Sequence, residues 1–209
     1  MIPKGVCTNF RDIGLVEVLW KAISGIINRR ILYSIQFHEA LHGSHAGRGM
    51  GTATLEEQLL QQLITMRGAF FHYIFLDLCK SYNTLDMERC LDILVGYGVR
   101  PRMLRILSRS WVWLQIASKS RDHCRPVLHS HCGVTQGDPL SPTIFNVFVD
   151  AVIRHWMTVV EVPQEGAIQG LGTSTQTVLA LFYGNDGLIL LPERACHQGA
   201  FDALRRIFG

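Results

Sequence analysis

Long apolar runs are missing from this chain of 209 residues. None reaches the roughly 18 residues that a membrane-spanning helix needs, so no membrane partner is expected. A secretion signal is missing too: Met1-Ile2-Pro3-Lys4-Gly5 has a charge and no apolar stretch of the right length behind it. Cys-x-x-Cys does not occur, and the six cysteines, at 7, 79, 90, 124, 132 and 196, are scattered. Scattered cysteines without a signal imply reduced thiols and an intracellular setting, nucleus or cytoplasm, rather than secretion. Internal repeats and low-complexity linkers are also absent. That leaves one large domain or two small lobes around a real core. A net charge of +3 says little alone.

What is present is apolar patterning, with hydrophobic residues at 48%. Residues 178–191 read Val-Leu-Ala-Leu-Phe-Tyr-Gly-Asn-Asp-Gly-Leu-Ile-Leu-Leu. Two apolar runs flank Gly184, Asn185, Asp186 and Gly187, which predicts a β-hairpin with Asp186 held at its tip. As turn chemistry alone, Asn-Asp-Gly needs no further role. Residues 70–78 are aromatic and β-branched and read as a strand with Asp77 near its C-terminal end. A carboxylate in such a segment is costly to bury unless it is paired or bound to metal, although it could also simply end the strand. Between these two lies Gly133 to Pro142, Gly-Val-Thr-Gln-Gly-Asp-Pro-Leu-Ser-Pro, a stiff loop around Gln136 that opens a long apolar helix to about Val160. A loop entering a helix in this way offers N–H groups to anions such as phosphates.

Helices are predicted over 15–31, buried on a broad face, and over 55–67, with Thr54 and Glu57 as a capping box. Others are predicted over 87–95, over 101–110, and from 195 to 208. Residues 111–117 and 126–132 read as a strand pair. Residues 100–125 hold Arg100, Arg102, Arg105, Arg109, Lys119, Arg121 and Arg125 against the single acid Asp122, with Trp111 and Trp113 among them. Basic residues interleaved with aromatics suit a nucleic-acid backbone and its bases; an ordinary solvated face is the plainer meaning.

A strand ending in Asp77, a polar loop at Gln136 and a hairpin tip at Asp186 together meet the needs of two-metal phosphoryl or nucleotidyl transfer, in which convergent carboxylates hold two cations. Here the chain resembles the reverse transcriptases of the non-LTR retrotransposon and group II intron branch. Phe75-Leu76-Asp77-Leu78-Cys79-Lys80-Ser81-Tyr82 resembles the first palm motif, Gly133 to Pro142 the second, and Phe182-Tyr183-Gly184-Asn185-Asp186 stands where the family has Tyr-x-Asp-Asp. Phe10-Arg11-Asp12-Ile13 with Lys21, and His42-Gly43 with Ala46-Gly47-Arg48-Gly49, resemble fingers motifs.

The resemblance implies an α+β right-hand polymerase fold: a fingers-like segment over 1–69 and a palm of antiparallel sheet and packed helices over 70–209. The thumb is absent, so a fragment of a larger element protein is expected. It implies RNA-directed DNA synthesis on an RNA template and DNA primer, with deoxynucleoside triphosphates and two Mg²⁺ ions. Asp77, Asn185 and Asp186 would stand at the catalytic positions. Asp77, Asp186 and the Leu78 carbonyl would be metal ligands. Ser81, Tyr82, Gln136 and Gly137 would bind nucleotide, with Tyr82 as a gate against a ribose 2′-hydroxyl. Arg11, Lys21, Arg48, Arg105, Arg109, Lys119 and Arg121 would contact nucleic acid.

Three departures stand out. Asn185 occupies a metal-ligand Asp position and brings no charge. Asn83 replaces a frequent Asp, and Ser44-His45 a typical Phe-Arg. The alternative reading is therefore a catalytically dead nucleic-acid-binding remnant. A remote one is a zinc hydrolase, since His38-Glu39-Ala40-Leu41-His42 is formally His-Glu-x-x-His, with His45 or Glu56 as a conceivable third ligand. His123, Cys124, His129, His131 and Cys132 also crowd ten residues, without the spacing of a known zinc finger.

Overall fold

Aromatic and β-branched residues make 71–77 a strand, and its partner in the sheet comes from the far end of the chain. The computed structural model describes residues 14–66, 68, 70–112, 115–116, 119–120, 123–124, 128–129, 132–159, 180–192 and 197–208. In chain order the elements are α1 (Val18–Leu32), α2 (Met50–Met66), β1 (Phe71–Asp77), α3 (Met87–Gly96), α4 (Pro101–Val112), β2 (Gln115–Ile116), β3 (Lys119–Ser120), β4 (His123–Cys124), β5 (Leu128–His129), α5 (Ser141–Val159), β6 (Ala180–Tyr183), β7 (Asp186–Pro192) and α6 (His197–Phe208). None of the described helices is long and apolar enough to cross a membrane. The described residues sort into two compact units, one from Met1–Ile35 and Lys80–Phe145, the other from Gln36–Cys79 and Asn146–Gly209. This is a division by contact; the fingers and palm boundary expected at 69/70 rests on motifs alone.

The second unit is built on an antiparallel sheet of order β1-β7-β6. β7 pairs along all of β1, from Phe71↔Pro192 to Asp77↔Asp186, and β6 pairs from Ala180↔Ile189 to Tyr183↔Asp186. Because side chains alternate, Asp186, Leu188 and Leu190 share one face. Away from the tip, that face packs Leu188, Leu190 and Leu181 on Leu60 and Ile64 of α2, with Phe71 and Tyr73 alongside. Each of the buried Leu and Ile side chains contributes about 1.5–3 kcal/mol on burial, and the partly buried Phe71 and Tyr73 less. The outer edge of β6 is covered: Leu41 bridges Phe182 in parallel, His42 N–H donates to Phe182 O at 2.8 Å, and Phe182 N–H to Ala40 O at 2.7 Å. The indole of Trp156, buried in α5, donates to Ala200 O at 3.2 Å, tying α5 to α6.

The start of α2 differs from the sequence expectation by five residues. Thr52 Oγ1 accepts Gly49 N–H at 2.8 Å, and Ala53 N–H returns to Gly49 O at 3.0 Å. The chain is therefore already helical at Met50, and Thr54 and Glu57 lie inside the helix rather than capping it.

In the first unit, Asp86 caps α3 by accepting the N–H groups of Glu88 at 3.0 Å and Arg89 at 3.1 Å. α4 runs past the expected end and takes in Trp111. Beyond it, the expected strand pair is seen as the short ladder of β2 with β5, and a second ladder, β3 with β4, lies between the two expected strands. α1 is rotated against expectation. Its buried residues are Ser24, Ile27 and Ile31, while Leu15, Val18, Leu19 and Ile26 are exposed. Polar bonds set the rotation: Trp20 Nε1 donates to Asp138 Oδ2 at 2.7 Å, and Asn28 Nδ2 to Pro139 O at 3.2 Å. They hold the Trp20–Asn28 side of the helix against the loop.

Candidate active site at the hairpin tip

The hairpin forms as its glycine requires. Gly184 sits at φ +60° and starts a two-residue turn with Asn185, so Asp186 is already the first residue of β7. A glycine at positive φ in the first turn position suits the right-handed twist of paired strands. The turn is fixed from behind, since a Cβ on Gly43 would lie 2.5 Å from Gly184 N. Gly187 is equally constrained: its Cβ would lie 2.6 Å from the Phe182 ring.

This register sets Asp77 directly opposite Asp186 on neighbouring strands. Both are exposed, as are Tyr183, opposite Asp186 on β6, and Phe75, two residues before Asp77. Asn185 is tied to the end of β1 twice. Its carbonyl accepts Leu78 N–H at 2.9 Å, and its side-chain Nδ2 donates to Asp77 Oδ1 at 2.8 Å.

Two divalent cations facing a triphosphate call for several anionic oxygens. The tip supplies two carboxylates and one neutral amide, and the amide presents its NH₂ to Asp77 rather than its oxygen. Among the described residues no group of three His, Cys, Asp or Glu side chains could hold a metal ion. The donor set therefore does not fit a pair of resident divalent cations.

Ser81, Tyr82, Gln136 and Gly137 fall together in the first unit. The Tyr82 ring stacks on Phe145 with centroids 5.0 Å apart, and burial pushes its hydroxyl pKa up, so the phenol stays neutral. Its carbonyl accepts Val134 N–H at 2.7 Å. Gly133, at φ +80°, passes so close that a Cβ would lie 2.7 Å from Tyr82 O and 2.6 Å from Asn83 O. Gly133→Ala should cost more than about 1 kcal/mol from the left-handed backbone alone, with the clash added. Thermal melting checks this; an unchanged midpoint would refute it. Gln136 is anchored through its backbone, whose carbonyl accepts Gly14 N–H at 2.9 Å, and Gly137 at φ +109° leaves Gly14 O the room it needs. The N–H groups at the α5 entrance are partly used internally: Leu140 N–H goes to Asp138 Oδ1 at 3.0 Å, and Ser141 N–H to Asp138 O at 3.1 Å.

Among the basic candidates, Arg102, Arg105 and Arg109 are exposed at spacings of three and four on α4, so they share one helical face, with buried Leu107 off it. Lys21 is exposed on α1. Arg48 is half-buried, and its guanidinium donates to Glu39 O. Lys119 pairs with Cys124 across β3 and β4. Arg11 and Arg121 lie outside the described residues, as do Phe10 to Ile13, Arg125 and His131.

The His-Glu-x-x-His reading is overturned. Residues 38–42 are turn and bridge, not helix, so His38 and His42 share no helical face. His38 Nδ1 accepts Ala40 N–H at 3.1 Å, while burial and then the Arg154 charge lower its pKa. His42 is buried, with Nδ1 3.1 Å from Thr52 Oγ1 and Nε2 3.2 Å from Glu56 Oε2.

Two polar residues of α5 escaped the sequence reading. Asn146 Nδ2 donates to Gly43 O at 2.6 Å, and the wholly buried Asp150 accepts His38 N–H and, at 2.7 Å, Arg154 Nε. Arg154 Nη2 also donates to Gln36 O at 2.9 Å. Asn146 and Asp150, four residues apart in an otherwise apolar run, were the available signal.

The family model described as reverse transcriptase (RNA-dependent DNA polymerase) matches residues 2–208. A Pol polyprotein from the type-1 retrotransposable element R2 of Nasonia vitripennis is 27% identical over 165 residues, 77% of this chain. Its counterpart from Popillia japonica is 23% identical over 137 residues, 64% of this chain. The chain spans 14% and 21% of the length of those two relatives. In fold it is similar to a solved structure of telomerase from Candida albicans in complex with a TWJ fragment of telomeric RNA. That likeness has a TM-score of 0.52 at 15% identity and covers 91% of this chain and 31% of that one. With the family model matched over nearly the whole chain and the palm carboxylates facing each other across β1 and β7, the chain belongs to the reverse transcriptase family.

Proposed function

We propose that this chain is the fingers and palm part of an RNA-directed DNA polymerase that grips an RNA template and DNA primer and has lost most of its nucleotidyl-transfer power at Asn185. The observation that supports this most is the pairing of Asp77 with Asp186, with the Asn185 amide bound to Asp77. Divalent metal use belongs to the family; for a tip with a carboxylate restored at position 185, Mg²⁺ is the ion proposed, and Asp77, Asp186 and the Leu78 carbonyl are the residues that would meet it. Ser81, Tyr82, Gln136 and Gly137 are proposed to face an incoming deoxynucleoside triphosphate. Tyr82, held by its ring and its backbone, is suited to a steric role. A nucleic-acid substrate also accords with the expected intracellular setting.

The basic face of α4 is proposed to meet the nucleic-acid backbone, together with Lys21 and Lys119. Binding of a labelled RNA–DNA hybrid, followed by anisotropy, should weaken steeply with salt, because each neutralised phosphate releases counterions. Replacing Arg102, Arg105 and Arg109 together by Ala should lower the log–log slope by about 2–3, at roughly 0.7–0.9 per contact. An affinity that stays flat between low and physiological salt would rule out this mode of binding.

A further inference from the structure

We infer that the side-chain amide of Asn185 takes the place of a cation at the hairpin tip, holding Asp77 beside Asp186 so that the tip closes with no divalent ion bound.

Leu78 N–H donates to Asn185 O, which makes 78 and 185 a hydrogen-bonded pair. In an antiparallel ladder such pairs alternate, so Asp77 and Asp186 form the adjacent non-hydrogen-bonded pair, where facing side chains come closest. Two like charges directly opposite at such a position destabilise the sheet unless something positive lies against them. Asn185 Nδ2, the positive end of the amide dipole, meets Asp77 Oδ1 at 2.8 Å. The backbone that carries this donor is fixed, since the Asn185 main-chain carbonyl is bound to Leu78 and the turn is backed by Gly43. A carboxylate at position 185 would turn this donor into an acceptor and gather three negative charges at the tip. Only a cation could then close it.

The tip as built should therefore be indifferent to divalent ions, and its closure should become cation-dependent when the amide is lost. This deepens the reading of the same site and rests on the polymerase proposal only for the choice of Mg²⁺ as probe.

The test is thermal melting of the full chain in EDTA and in millimolar Mg²⁺, at matched ionic strength. The chain as it stands should melt at the same temperature in both. Asn185→Asp should melt about 2–4 °C lower in EDTA, the fall expected for a small loss of stability in a chain of this size, and recover in Mg²⁺. The double variant Asp77→Asn with Asn185→Asp restores one amide and one carboxylate across the same gap. It should regain the original midpoint in EDTA without Mg²⁺. The inference is overturned if the unaltered chain gains as much from Mg²⁺ as Asn185→Asp does. It is also overturned if Asn185→Asp loses nothing in EDTA, or if the double variant melts as low as the single one or does not fold. Hybrid binding is a separate readout: its absence would remove the polymerase proposal and leave the melting pattern standing.

Discussion

Asn185→Asp should extend an RNA-templated primer on the order of 10²-fold faster than the chain as it stands, in a Mg²⁺-dependent assay with a thumb segment fused to the chain. Charge is the first reason. The tip carries Asp77 and Asp186 and a neutral amide where the resemblance calls for a third carboxylate. Geometry is the second, because Asn185 points its NH₂ at Asp77 Oδ1 and would repel a cation approaching that oxygen. Removing one preorganised group that stabilises developing charge typically costs about 10²–10³ in rate. Loss of a charged group should be no milder, and restoring it should recover a comparable factor. Asp77→Ala, made in the Asn185→Asp background, should abolish the gain. Equal extension by the unaltered chain and by Asn185→Asp would show that the amide is no handicap, and this account of the tip would fail.

The largest effect on stability is expected at Asp150→Ala. Asp150 is wholly buried and serves two elements at once, its Oδ1 taking His38 N–H and its Oδ2 taking Arg154 Nε. Removing one partner of a buried charged pair typically costs about 3–5 kcal/mol. The Arg154 side chain is 46% exposed and can turn to water, so the loss should lie near the low end, about 3 kcal/mol. For a chain of this size that is a fall in melting temperature of roughly 6–12 °C. The lost contact also bears on the tip, because residues 40–43 run from His38 along β6 to the Gly184 turn. Arg154→Ala should cost less, since Asp150 would keep its bond to His38. A midpoint for Asp150→Ala within a degree of the original would contradict this reading of α5.

Much of the candidate site's local structure was legible because its signals are local. Residues 70–78 announced a strand by residue type, and Gly184 to Gly187 announced a turn, which the structure narrows to Gly184 and Asn185; neither needs a distant partner to be recognised. What was missed depends on distance. Asn146 and Asp150 act on residues 103 and 112 positions away, so nothing near them in sequence marks them as more than polar breaks in an apolar helix. The rotation of α1 was misjudged for the same reason: apolar periodicity named a broad face, but the bond from Trp20 to Asp138, 118 positions on, decides which part is covered. The start of α2 failed differently. Thr54 and Glu57 satisfy the capping-box pattern, yet Thr52 meets Gly49 first and the helix begins there. His38 and His42 show how little a spacing means when the backbone between them is not helical.

The pairing of β1 with β7 also constrains how the molecule is made. Asp77 and Asn185 are 108 residues apart in sequence. At roughly 5–20 residues per second, synthesis carries the first aspartate out of the ribosome some 5–20 s before the hairpin exists. The β6–β7 hairpin is local and closes on the microsecond scale once it emerges. β1 must wait as an unpaired edge until then, and closing so long a span is the kind of step that slows folding. During that interval the exposed Phe70 and Phe75 and the bare strand between them are open to pairing with the wrong partner.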